Sequence, residues 1–231
     1  MLLRAALPEH HLSTDSKDVV KLGMGLIATM AALVLGLLIA SAKGSYDTQR
    51  SELTQMSANI IFLDRVMAHY GPETKEARDL LRHSVARVLD QIWPEDSSQP
   101  AQLEPTAAGG EPLYDKIQAL APQNEAQRSL QAKALSTASE IAQTRWLMFQ
   151  QQGSSIPLPF LVVLVFWLAI IFVSFGLYAP PNATVFITLL VCAVSVSGAI
   201  FLILELDRPF EEGLLQIPST PLRTALAQLG R

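Results

Sequence analysis

Between Arg145 and Glu205 the chain carries no Asp, Glu, Lys, Arg or His. A charge-free run of that length does not suit a water-soluble fold, and it is what a bilayer selects, since each helix that crosses needs about 20 apolar residues. The stretch Ala179-Pro180-Pro181-Asn182 divides the run, because two prolines break a helix and Asn is a good N-cap for the next one. The expectation is an apolar hairpin with transmembrane spans over 156–178 and 183–206. Gly153-Ser154-Ser155 leads in, with Pro157 near the first helical position, where its missing N–H does no harm.

A third apolar block, Leu22 to Ala42, lies between Lys21 and Lys43 and is just long enough to span. Within it Ala28, Ala32, Gly36 and Ala40 recur every fourth residue, and Gly44 continues the row. On a helix these five form a face of small side chains, the arrangement that lets membrane helices approach closely. The segment before it, 1–20, contains Pro8 and the pair His10-His11 and reads as a polar lead without a signal-peptide core.

Beyond Gly44 the spacing of Leu53, Met56, Ile60, Leu63, Met67 and Tyr70 alternates between three and four, which predicts that the helix continues out of the membrane until Gly71-Pro72 stops it. A second amphipathic helix is expected from Glu73 to Trp93, with Ala77, Leu80, Leu81, Val85, Val88, Leu89 and Ile92 on a broad apolar face. The Pro-, Gly- and Ser-rich stretch 94–112 reads as a loop. A short helix over Leu113 to Leu120 and a long one over Asn124 to Gln152 then feed the hairpin, and 207–231 is left as a tail. No alternating strand pattern occurs. The fold class is therefore all-α: a polytopic membrane protein with three transmembrane helices and a cytosolic helical bundle, 44–152, built from helix extensions.

The cytosolic placement rests on Lys43, Arg50, Arg145, Arg208 and Arg223 near one set of span ends, against Lys17 and Lys21 near the other. The net charge of −4, with basic residues dispersed, gives no stripe for nucleic acid. Cys192, the single cysteine, falls inside the last span, so no internal disulfide forms. P-loop, G-x-G-x-x-G, G-x-S-x-G and H-E-x-x-H signatures are missing, so no catalytic residue, cofactor or metal is assigned and an enzyme is disfavoured. His10 and His11 are neighbours that point apart on a helix, His69 suits a helix C-terminus, and His83 sits among charged residues.

The most informative polar residues are Glu205, Asp207 and Arg208, which follow the last apolar arm directly, with Pro209 close behind. Two readings stay open. They are a helix end in water, or, if several copies surround an axis, the charged mouth of a pore. The spans hold only Ser, Thr and Cys as polar groups, notably Thr184, Thr188, Ser195 and Ser197, which argues against a proton-coupled pump.

The run Leu204-Glu205-Leu206-Asp207-Arg208-Pro209-Phe210, with Gly213 and Pro218-Ser219-Thr220-Pro221-Leu222, resembles a bacterial family of membrane proteins described as bestrophin-like. The likeness extends through Leu7-Pro8-Glu9-His10-His11-Leu12, Gly36 to Lys43, Leu63-Asp64-Arg65 and Tyr70-Gly71-Pro72. It implies a helical membrane channel of the bacterial inner membrane, a homo-oligomer and typically a pentamer, conducting anions through membrane helices into a helical vestibule. It also implies a further span before Leu7, of which 1–7 would be a remnant. An acidic mouth at Glu205 and Asp207 runs against anion preference, and Glu95-Asp96 supplies too few oxygens for a calcium site. The competing reading is a membrane-anchored helical module that binds a partner protein, with the bilayer as its other partner.

Overall fold

The computed structural model describes residues 14–94, 111–151, 156–178, 182–210 and 213–230. Among them all regular structure is helical: α1 Thr14–Tyr70, a 3-10 turn Pro72–Thr74, α2 Lys75–Ile92, α3 Glu111–Gln118, α4 Glu125–Gln150, α5 Leu158–Tyr178, α6 Ala183–Asp207 and α7 Thr220–Gln228. Among the described residues, three helices are long and apolar enough to cross a membrane, within Asp18–Tyr70, Leu158–Leu177 and Ala183–Asp207. At 57 residues, α1 is far longer than the roughly 20 residues a bilayer requires, so part of it must extend beyond the hydrocarbon. The chain forms two compact units, Met1–Ser45 with Ser154–Asp207 and Tyr46–Gly153 with Arg208–Arg231.

In the first, membrane unit, one cluster of buried residues joins Ala31, Leu38 and Ala42 of α1, Ile156 before α5, Leu164 of α5 and Ile203 of α6. Two alanines on α1 permit close approach there. Asn182 starts α6: its Oδ1 accepts from the Val185 N–H at 2.8 Å, as its residue type leads one to expect. Most remaining large side chains face outward, Phe186 and Val194 among them.

The second, helical unit has a conventional core. Leu53, Met56, Ile60, Leu63, Met67 and Tyr70 of α1 are all buried, as are Ala77, Leu81, Val85, Leu89 and Ile92 of α2. The spacing of three and four places each set on one face, and each large aliphatic side chain so buried contributes about 1.5 to 3 kcal/mol. Gly71 ends α1 at φ 141°, a conformation open to glycine. The turn is then held by Thr74, whose Oγ1–H faces the carbonyls of Met67 at 2.7 Å and Gly71 at 2.8 Å. Asn124 caps α4 by accepting from the Gln127 N–H at 2.8 Å, and Gln127 Oε1 accepts from the Gln123 N–H at 2.7 Å.

Several expected boundaries move. The helix begins at Thr14, so the end of the segment read as a lead is helical. The first turn of α3 takes Glu111 and Pro112 out of the stretch read as a loop, because proline is tolerated there; positions 95–110, with Glu95 and Asp96, lie outside the described residues, as do 1–13 with His10 and His11. The segment read as a tail contains α7, which buries Leu222 and Ala225 in the helical unit's core. Its nine residues are too few for periodicity to reveal it.

Candidate functional site

Glu205 and Asp207 occupy the last turn of α6 and are both half-buried, whereas Arg208 is exposed. Pro209 stops the helix. Past that proline the chain forms a closed loop in the helical unit. Phe210 is buried and meets Trp93 edge to face, with ring centroids 6.2 Å apart. Trp93 Nε1–H donates to the Ile217 carbonyl at 3.0 Å, and the Ile217 N–H donates to the Pro209 carbonyl at 2.8 Å. Gln216 Nε2–H adds a bond to the Phe210 carbonyl at 3.3 Å. The residues that carried the resemblance after Asp207 thus pin the end of the chain to the helical bundle. Their spacing alone gave no hint of Trp93, which lies more than a hundred positions earlier.

The small-residue face is left uncovered within a single chain. Ala28, Ala32, Gly36, Ala40 and Gly44 are all exposed, and a Cβ at Gly36 or Gly44 would meet nothing within 4 Å. The chain's own helices pack on the other register, through Ala31, Leu38 and Ala42. The row remains an outward face.

Three hydroxyls of the spans turn back on their own helices. Thr29 Oγ1–H donates to Gly25 at 2.9 Å, Thr188 to Thr184 at 2.9 Å and Ser195 to Val191 at 2.8 Å, all to carbonyls one turn earlier. This satisfies each hydroxyl in a medium without water.

Within the helical unit, Asp64 of the Leu63-Asp64-Arg65 run is buried and receives a two-pronged bond from Arg78, Nε to Oδ1 at 2.7 Å and Nη2 to Oδ2 at 2.9 Å. The Gly230 N–H reaches Oδ2 at 3.3 Å. The pairing, with burial opposing it, raises the Arg78 pKa above its ordinary value. Sequence reasoning missed this triad because its members are close only after α1, α2 and the chain's last residues have packed. His69 and His83 each donate from Nδ1 to the carbonyl four residues earlier, Arg65 at 2.8 Å and Asp79 at 2.7 Å, and are helix-surface residues. Near the end of α4, Gln151 Nε2–H donates to Glu52 Oε1 at 3.0 Å. Trp146 and Phe149 pack edge to face at 6.0 Å. Among the described residues, no cluster of three His, Cys, Asp or Glu is placed to hold a metal.

A family model described as Bestrophin-like domain matches residues 1–222. Crystal structures of two single-residue variants of a bacterial bestrophin homologue from Klebsiella pneumoniae each align with TM-score 0.71 and 14% identity, covering 90% of this chain and 85% of theirs. A third variant aligns with TM-score 0.67 at the same identity, covering 90% and 87%. At such identity the likeness is one of fold. No curated protein matches at the level of sequence.

Proposed function

The chain belongs to the bestrophin-like family, and from that premise we propose that it works as an oligomeric ion channel of the bacterial inner membrane. Copies associate through the outward row Ala28, Ala32, Gly36, Ala40 and Gly44, and enclose a pore on their common axis, five copies being the number the family resemblance implies. The observation that carries this reading is the row itself: five small residues in one register of a membrane helix, all left uncovered by the chain's own packing. The helical unit lies on the cytoplasmic side, since Lys43, Arg50, Arg145, Arg208 and Arg223 outnumber Lys17 and Lys21 near span ends.

Glu205, Asp207 and Arg208 are the proposed mouth. In a ring each acid repeats once per copy, and repeated like charges at a narrow opening produce a potential of several kT that favours cations. Planar-bilayer recording tests this. Glu205→Gln or Asp207→Asn is expected to move the reversal potential toward anions, and Arg208→Gln to move it the other way. Conductance unchanged by all three places the pore elsewhere. Gly36→Leu is expected to reduce the oligomer in size-resolved particles far more than Leu35→Ala, and equal effects remove the row as the contact.

One observation favours the second reading, a non-catalytic membrane-anchored module that binds a partner protein: Thr29, Thr188 and Ser195 spend their hydroxyls on their own helices and supply no polar stripe along a span. Correctly folded protein that never conducts decides for it.

A further inference from the structure

Protein interiors leave few voids larger than a water molecule. In the helical unit a cavity of about 330 Å³, open on the side of the exposed residues Tyr114, Ser139, Ala142 and Trp146, lies among α1, α2, α3, α4 and α7. Its walls are aliphatic, with Ile60 and Leu63 from α1, Leu81 and Val85 from α2, Ile141 from α4 and Leu222 from α7. Polar side chains interrupt this lining at Ser84, Tyr114, Ser139 and Arg145. Apolar walls with a few convergent polar groups, at this size, are the composition of small-molecule sites.

The charges in the lining are not equivalent. Glu111 and Asp115 on α3 are exposed, so water screens them. Arg145 is half-buried, and its pKa is held below the usual arginine range by burial first and by the charge of Arg87 second. An anion brought beside it offsets both effects. The planar guanidinium offers five donors in a fork that fits a carboxylate, so it holds a ligand together with a protein partner.

We propose that this cavity binds a single-chain amphipathic carboxylate, with the head at Arg145 and the alkyl tail along Ile60, Leu81 and Val85. At about 30 Å³ for each water-sized group, the space holds a tail of roughly ten carbons. The site lies wholly within the helical unit and does not depend on ion conduction.

The test is calorimetric titration of full-length protein in zwitterionic lipid nanodiscs with sodium decanoate, with the heat of empty discs subtracted to remove partition into the bilayer. One saturable site is expected. Decanol, which lacks the charge, is expected to bind at least tenfold more weakly, and octanoate about fifteenfold more weakly for two fewer methylenes. Ala142→Phe places a ring in the cavity and abolishes binding; Val88→Phe repeats the test from α2 if the first variant melts early. Arg145→Gln brings decanoate down to the level of decanol. Three results overturn the proposal: no saturable heat beyond that of empty discs, filling variants that bind as well as the parent, or decanol equal to decanoate in the parent. A silent bilayer recording leaves the titration unaffected, so failure of the channel reading and failure of this one are separately visible.

Discussion

Leu63 of α1, in the helical unit, is 0% exposed, whereas Phe186 of α6, in the membrane unit, leaves 69% of its surface uncovered. Both are large apolar side chains on well-formed helices, and the same rule places both, namely that apolar surface avoids water. In the helical unit the surroundings are water, so aliphatic faces turn inward and the buried charge of Asp64 is paired. In the membrane unit the surroundings are lipid tails. Outward Phe, Val and Leu then cost nothing, while every polar group must be satisfied internally. The difference teaches that exposure has no meaning for stability until the solvent is named.

The comparison breaks most sharply at the paired charge. Asp64→Ala strips Arg78 of its carboxylate and the Gly230 N–H of its acceptor, and is expected to destabilise the helical unit by about 3 to 5 kcal/mol, read by denaturant unfolding. A loss below about 1 kcal/mol would show that water reaches the pair. Next in size is a test of the two solvents by one chemistry. Val191→Asp on α6 and Ala132→Asp on α4 both alter exposed positions. The first is expected to cost about 2.5 to 3.5 kcal/mol in membrane insertion, the second less than about 0.5 kcal/mol in stability. Equal, small costs would mean that α6 does not face lipid there.

The smallest expected effect concerns one buried polar group of the helical unit that lacks such a partner. Tyr70 is buried, and its hydroxyl finds no hydrogen-bond partner among the described residues. Burial first, and Glu73 second, raise its pKa above the ordinary value. The folded state therefore keeps the proton longer than the unfolded one, and the contribution is intact below the unfolded value of about 10 and lost as pH rises through the folded value. Tyr70→Phe is expected to stabilise by about 1 kcal/mol at neutral pH and to flatten the alkaline decline in melting temperature. A destabilised variant would reveal a partner for the hydroxyl.

Much of this fold is legible in the sequence because its punctuation is local. Gly71-Pro72 ends a helix by its own backbone chemistry, and Asn182 starts one with its own side chain, so neither requires knowledge of the rest of the chain. The apolar alternation from Leu53 to Tyr70 is likewise a property of one helix. Arg78 is invisible as the partner of Asp64 because nothing in a spacing of fourteen marks it, and α7 is too short for a pattern that Leu222, Ala225 and Leu229 nonetheless obey. The small row of α1 is plain in the residues themselves, yet composition does not tell whether such a face meets the same chain or another. The cavity arises from five helices together, and no single segment announces it.

The hydrogen bond from the Ile217 N–H to the Pro209 carbonyl gives the molecule a site for engineering. It closes a loop whose ends are fixed by the ring contact of Phe210 with Trp93 and by the bond from that indole to Ile217, while Gly213 and Leu214 within it are exposed. Because the ends are already held together, an epitope or small fluorescent tag inserted between Gly213 and Leu214 adds only chain-closure entropy, about 0.6 kcal/mol for each doubling of loop length. An antibody against that insert, applied to sealed vesicles of known orientation, reports which face of the bilayer the loop occupies without altering a span or a core residue.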